Sequence, residues 1–140
     1  MSMRSWSEDG YGFALFNVNN WKNIVDFILK NTTTNYTDEQ KKEMYECEDE
    51  YELEDMIDNP VAWSIADYIN KAEGTTIFKG YQSCGDTDQE AMIGIEPCYP
   101  WSMTANDMIT QDKANELLVK YAEILGITEA PNYFEAEYFG

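Results

Sequence analysis

The stretch from residue 38 to residue 58 carries the densest charge in the sequence and is the first candidate for a functional surface. It contains two lysines, Lys41 and Lys42, and no basic residue follows Lys42 within it. Carboxylates at this density make a strongly negative surface, which attracts positively charged partners. The acidic residues of the stretch are Asp38, Glu39, Glu43, Glu46, Glu48, Asp49, Glu50, Glu52, Glu54, Asp55 and Asp58.

The spacing within this stretch predicts one helix with an apolar face and an acidic face. Thr37 and Gln40 are three residues apart, as in a capping box, so the helix is predicted to begin at Thr37. Its apolar face follows spacings of three and four: Met44, Cys47 and Tyr51. Its acidic face places like charges four residues apart, which costs roughly a few tenths of a kcal/mol per pair. The residues of that face are Glu43, Glu46, Glu50 and Glu54.

The net charge narrows the class of partner. The chain has 140 residues, with 9 Lys and Arg against 27 Asp and Glu, and a formal charge of −18. Binding to nucleic acid or to an anionic membrane needs clustered Lys and Arg, so both are disfavoured. Hydrophobic residues make up 44% of the chain, which is enough to bury a core. We expect one folded domain over residues 1–140, with an acidic helical insertion over residues 31–74 and a basic partner.

Histidine is absent from the sequence, which excludes Ser-His-Asp and Cys-His catalysis and the zinc sites that use histidine. The three cysteines, Cys47, Cys84 and Cys98, form no CxxC pair, so neither a disulfide framework nor a zinc ribbon is indicated. Reduced thiols and the lack of a signal-peptide pattern favour the cytoplasm. We expect a cytoplasmic protein that is not an enzyme and uses no metal or cofactor.

One short segment resembles a calcium-binding loop in part. Asp86, Asp88 and Glu90 occupy its first, third and fifth positions. Ala91 stands where the loop requires glycine, and Pro97 occupies the place of the final ligand. The segment is better explained as the polar tip of a hairpin.

The remaining elements alternate between strand and helix. A strand is predicted over residues 10–16 after a turn at residues 7–10, followed by a helix that Asn17 or Asn19 caps and Asn31 ends. The later elements are a helix capped by Asn59 and ended by Gly74, strands over 75–83 and 91–97, a helix between Thr110 and Gly126, and a strand over 133–139. The three helices have apolar stripes: Trp21, Ile24, Val25 and Ile28; Val61, Ile65, Ala66 and Ile69; Ala114, Leu117, Leu118, Tyr121, Ala122 and Leu125.

This order predicts an α+β fold with an antiparallel sheet and helices on one face. When the acidic insertion after the first helix is left out, the predicted order of elements is βαββαβ, which is the ferredoxin-like order.

Two interpretations of the acidic helix compete. It is either a solvated face that keeps the protein soluble, or a surface that imitates nucleic-acid phosphates and blocks a basic nucleic-acid-binding protein. In size, charge and lack of catalytic motifs the chain resembles the small acidic proteins that phages and mobile elements use against restriction or CRISPR nucleases. The predicted partner-binding residues are Glu43, Glu46, Glu48, Asp49, Glu50, Glu52, Glu54, Asp55 and Asp58.

Three other functions fit the sequence. The chain could be an immunity protein that neutralises a basic nuclease toxin, acting like the inhibitor as a monomer or homodimer. It could be a small enzyme or ligand-binding protein with a pocket in the Tyr- and Trp-rich C-terminal half, using Glu96, Glu135 and Glu137. It could also be an adaptor subunit whose charge is incidental.

Overall fold

A computed structural model of the chain describes residues 5–17, 19–84, 89–95 and 111–139. Four strands lie in this part: β1 (Ser5–Ala14), β2 (Phe78–Cys84), β3 (Gln89–Ile95) and β4 (Asn132–Phe139). Five helices accompany them: α1 (Trp21–Asn31), α2 (Asp38–Glu46), α3 (Glu50–Ile57), α4 (Val61–Glu73) and α5 (Gln111–Ile124). Along the described chain the order is β1, α1, α2, α3, α4, β2, β3, α5 and β4, so the insertion contains three helices where two were predicted.

The strands form one antiparallel sheet in the order β2-β3-β1-β4, which confirms the predicted α+β class. The predicted turn at residues 7–10 is wrong. These residues pair with β4, Ser7 opposite Glu137 and Gly10 opposite Phe134, so the ladder keeps them extended. In the β2–β3 hairpin Cys84 lies opposite Gln89. The hairpin tip, Cys98 and Thr110 lie outside the described residues.

All five described helices pack against one face of the sheet. Phe13 and Leu15 of β1 and Ile93 of β3 lie on this face and are buried, because alternate residues of a strand share a face. The apolar stripes predicted for α1, α4 and α5 cover them, and the stripes of α4 and α5 are buried throughout. The acidic segment adds one buried residue from each of its helices: Met44 and Leu53. The acidic helices are therefore anchored to the same core as the rest of the described fold.

The opposite face of the sheet holds a second, smaller cluster. The ring of Tyr81 on β2 is fully buried and meets the edge of Phe134 on β4, with ring centroids 4.9 Å apart. Two strands separate β2 from β4 in the sheet order, so this contact requires the sheet to curl. β1 and its neighbour β3 also approach closely, since a Cβ at Gly12 would lie 2.0 Å from the carbonyl oxygen of Ile93. Gly12 and Phe13 lie on opposite faces of β1 and are both buried, so both faces of the strand are covered there.

No helix in the described part of the chain is long and apolar enough to cross a membrane.

Candidate partner-binding surface

The acidic segment folds as two short helices, so the prediction of one continuous helix is wrong. α2 ends at Glu46, and Cys47 is extended, with φ −56° and ψ 138°. α3 begins after Asp49, whose side chain accepts the backbone N–H of Glu52 at 3.0 Å. The Glu52 carboxylate in turn accepts the backbone N–H of Glu48 at 3.1 Å. An acid followed three residues later by glutamate is a helix-start signal, and it could have been read from the sequence.

The start of the first helix is as predicted. The Thr37 hydroxyl oxygen accepts the backbone N–H of Gln40 at 3.1 Å, and the Gln40 side chain accepts the backbone N–H of Thr37 at 2.9 Å. Both halves of the capping box are present. Two donors that the helix leaves without an intrahelical partner are thereby satisfied.

The break between the helices changes which side chains face the core. Met44 and Leu53 are fully buried and Cys47 is half-buried, whereas Tyr51, predicted on the apolar face, is 49% exposed. A further bond fixes α2, because the Trp21 indole N–H donates to the carbonyl oxygen of Met44 at 3.1 Å. The acidic segment is thus held by one apolar anchor on each helix and by contacts to α1.

The nine predicted binding residues fall into two groups. Seven are exposed and together form what we call the acidic surface: Glu43, Glu46, Glu48, Asp49, Glu52, Asp55 and Asp58. The other two, Glu50 and Glu54, are half-buried and contact neighbouring elements. The predicted row of charges on successive turns is therefore interrupted at its third and fourth members.

Glu50 and Glu54 have structural partners. A Glu54 carboxylate oxygen accepts the backbone N–H of Val61 at 3.3 Å, at the beginning of α4. Burial raises the pKa of Glu50, the charge of Glu54 raises it further, and a hydrogen bond from Gln82 of β2 opposes both. These two carboxylates face the protein, a placement that helical spacing alone did not indicate.

Positive charge is scarce around the acidic surface. Between residues 43 and 58 the sequence has no basic residue. Lys42 lies 4.0 Å from Glu46, but both side chains are well exposed, so this pair neutralises little. Asp58 ends α3 in the left-handed region, with φ 57°. The surface as a whole remains strongly negative.

The thiol of Cys47 is not set up as a nucleophile. Burial raises its pKa most, followed by the charges of Glu52, Asp49 and Glu43. A cysteine with a raised pKa stays protonated near neutral pH and reacts slowly. Within the described residues no group of three or more His, Cys, Asp or Glu side chains could hold a metal ion.

Besides Tyr51, two further aromatic side chains close in sequence to the carboxylates are exposed. Tyr45 of α2 is 38% exposed and Trp63 of α4 is 52% exposed. Tyrosine and tryptophan dominate protein-binding hot spots, so both suit contacts to a partner. Sequence analysis did not select them, because exposure of a single aromatic residue leaves no mark in the spacing.

The pocket predicted for the enzyme alternative lies largely outside the described residues. Glu135 is exposed on β4, whereas Glu96 and the side chain of Glu137 are not among the described parts of the chain. A shallow groove of about 390 Å³ lies instead between α1, α4 and α5, where Lys30, Lys120 and Tyr121 contribute to its lining. Of the segment resembling a calcium loop, Asp86 and Asp88 lie outside the described residues, whereas Glu90 lies in β3.

Fold and surface define an α+β protein with a four-stranded antiparallel sheet and an exposed acidic segment anchored on its helical side. No protein-family model matches the chain, and neither a curated protein nor a solved structure matches it.

Proposed function

We propose that this chain is a non-enzymatic inhibitor whose acidic surface covers the basic nucleic-acid-binding surface of a partner protein. In this proposal the carboxylates stand in for phosphates, as in a DNA mimic of the anti-restriction or anti-CRISPR type. One observation carries it: seven exposed carboxylates lie between residues 43 and 58, where the sequence has no basic residue. The protein would act in the cytoplasm, as a monomer or homodimer.

The charge density of the acidic surface favours this function over simple solubility. Sixteen residues of straight helix would span about 24 Å. One strand of duplex DNA carries about seven phosphates over that length, at one per 3.4 Å. The acidic surface offers seven exposed carboxylates on a backbone of that many residues. The break between α2 and α3 sets the actual spacing of these carboxylates, so it is their number, and not their positions, that resembles a single phosphate backbone.

Rigidity also supports the proposal. Met44 and Leu53 are fully buried, and capping bonds fix the first turn of each acidic helix. Carboxylates held on anchored helices lose less conformational freedom on binding than those on a flexible tail. Trp63, exposed on α4, adds a side chain that can pack against an arginine of the partner.

For the finer architecture we propose a ferredoxin-like βαββαβ unit with α2, α3 and α4 inserted after α1. β1 and β2 each pair antiparallel with β3, which lies between them. They must therefore run parallel to each other, as in a split βαβ unit.

The test is competition with DNA for purified basic nucleases. The panel contains a restriction nuclease, a CRISPR nuclease and a bacterial nuclease toxin, each bound to labelled duplex DNA. We expect the chain to displace DNA from at least one of them, and to do so far less at about 500 mM salt than at about 50 mM, because salt screens charge. Displacement from the toxin alone would favour the immunity function.

A matched pair of variants distinguishes an effect of the acidic surface from an effect of the net charge of the whole protein. The triple variant Glu46→Lys, Glu48→Lys and Asp55→Lys reverses three charges of the acidic surface. The control reverses three exposed acids elsewhere: Asp67→Lys, Glu123→Lys and Glu129→Lys. Both change the net charge equally, so we expect the first to abolish displacement and the second to retain most of it. Equal loss in both variants, or no displacement from any panel member, would overturn the proposal.

A further inference from the structure

Glu50, at the start of α3, turns its carboxyl toward β2. The side chain of Gln82 on β2 hydrogen-bonds to it, and the residue is half-buried. Its Oε2 is sealed from solvent and has no hydrogen-bond partner within the described part of the chain. The Oε1 of Gln82 is buried as well. A carboxyl and an amide therefore meet where α3 rests on the sheet.

The ionised form of Glu50 is poorly accommodated in this position. A buried carboxylate oxygen without a donor loses its hydration without compensation. The charges of its own segment that act on it are those of Glu54 and Asp49, and both repel it. On β2, Lys79 extends over the Tyr81 ring, on the face of the strand opposite to Gln82. Burial and this repulsion raise the pKa of Glu50 above its ordinary value.

We propose that Glu50 is a proton-controlled clasp that fastens the first turn of α3 to β2. With a proton taken from solvent, its hydroxyl donates to the Gln82 carbonyl oxygen while its other oxygen accepts the Gln82 amide N–H. When the proton leaves, the hydroxyl bond is lost and a charge remains in a buried position. The first turn of α3 then opens more often. This inference concerns the fold alone and does not rest on the proposed function.

The direction of the pH effect follows from the sign of the shift. The pKa of Glu50 is higher with the clasp closed than in an open, solvated state, where it has the ordinary value of 4.5. Protonation therefore favours the closed state. The stabilisation is complete below the ordinary value and is lost as the pH rises through the raised value.

Two measurements on the intact chain test the clasp between about pH 4 and about pH 8, a range that brackets a raised carboxyl titration. Carbon NMR of the Glu50 carboxyl gives its pKa directly. Hydrogen exchange of the amides of residues 53–57, corrected for intrinsic rates, gives the opening constant of α3. We expect a raised pKa, and an opening constant that increases with pH by about tenfold for each unit of the measured shift.

The isosteric variant Glu50→Gln keeps a neutral group able to pair with the Gln82 amide. We expect it to hold α3 at the low-pH protection of the wild type over the whole range. The control Glu46→Gln also removes one negative charge, but at an exposed position on α2, and should retain the wild-type pH dependence. An ordinary Glu50 pKa, or the same pH dependence of α3 exchange in Glu50→Gln as in the wild type, would overturn the clasp. Both results would leave the DNA-displacement experiment unaffected.

Discussion

The hydroxyl of Tyr45 on α2 donates a hydrogen bond to the carboxylate of Asp26 on α1. This bond, the Trp21 indole bond to Met44 and the burial of Met44 fix the first acidic helix to the helical layer. The bond to Asp26 is the main cause that raises the pKa of Tyr45 to about 12, followed by burial and the negative charge of Asp26. A residue of the acidic segment therefore uses a carboxylate outside that segment as its anchor.

Removal of this hydroxyl should destabilise the protein slightly and make it less sensitive to alkali. Because the folded pKa of Tyr45 is raised, its contribution is complete below the unfolded value of 10.0 and is lost as the pH rises toward about 12. Tyr45→Phe should lower the free energy of unfolding by about 1 kcal/mol or less, because the bond is partly exposed. Urea unfolding at neutral pH and near pH 11 measures the difference, which should shrink at the higher pH.

The control for this prediction is Tyr133→Phe. Tyr133 is 67% exposed, and its ring lies 4.9 Å from that of Tyr11, a contact that phenylalanine retains. This variant should keep the unfolding free energy of the wild type at both pH values. A larger effect at Tyr133 than at Tyr45 would contradict the anchoring role of the Asp26 bond.

The capping box at the start of α2 should contribute measurable stability. Thr37→Ala removes the oxygen that accepts the Gln40 N–H and should lower the free energy of unfolding by about 1 kcal/mol. Thr33→Ala is the control, because Thr33 is exposed in the preceding loop. Chemical denaturation followed by circular dichroism gives both values. If the two variants were equally stable, the capping box would not determine where the helix begins.

The sequence predicted helices best where a single apolar periodicity was followed by a residue that ends a helix. Every residue of the predicted apolar stripes of α4 and α5 is buried, whereas the stripe of α1 included the half-buried Trp21 and missed Phe27. Asn31 and Gly74 marked the ends of α1 and α4. In the acidic segment two start signals compete, one at Thr37 and one at Asp49. The second interrupts the first helix, which moves Tyr51 out of the core and turns Glu50 inward.

The curl of the sheet could not be read from local patterns. It depends on the contact between Tyr81 and Phe134, which lie on strands far apart in the chain. Alternation along a strand shows which residues share a face, but not how strongly the sheet bends. For the acidic surface, composition indicated the negative charge, while the inward contacts of Glu50 and Glu54 depended on where β2 and α4 lie.

Gly80 is predicted to be intolerant of any side chain. A Cβ there would lie 2.5 Å from the carbonyl carbon of Ala62 and 2.6 Å from the backbone nitrogen of Trp63. Because both are backbone atoms, α4 would have to move away from β2. Gly80→Ala should lower the free energy of unfolding by about 1–3 kcal/mol, as measured by thermal or urea unfolding.

The control for Gly80 is Gly74, a position where the backbone conformation, and not the available space, favours glycine. Gly74 ends α4 with φ 66° and has nothing within 4 Å of a built Cβ. Asparagine tolerates this left-handed region, so Gly74→Asn should cost less than Gly80→Ala. If Gly74→Asn lowered the free energy of unfolding more than Gly80→Ala, the close packing of α4 on β2 would not be the reason that position 80 requires glycine.

Glu73, at the end of α4, should stabilise the protein near neutral pH and lose this effect in acid. One of its carboxylate oxygens accepts bonds from the Lys120 ammonium at 2.8 Å and the Tyr121 hydroxyl at 2.7 Å. These bonds, the Lys120 bond first, lower the pKa of Glu73. Its contribution is therefore complete above the unfolded value of 4.5 and is lost as the pH falls through the lower folded value.

A double-mutant cycle isolates the bond to Tyr121. Glu73→Ala leaves the hydroxyl of Tyr121, a residue only 4% exposed, without its acceptor, which should cost about 1–3 kcal/mol at pH 7. Tyr121→Phe removes that hydroxyl, so it should cost less in the Glu73→Ala background than in the wild type. Urea unfolding of all four proteins at neutral pH and near pH 3 should show the coupling shrinking in acid. Strict additivity at neutral pH would mean that the two side chains do not stabilise each other, and the Glu73 carboxylate would then join α4 to α5 through its pair with Lys120.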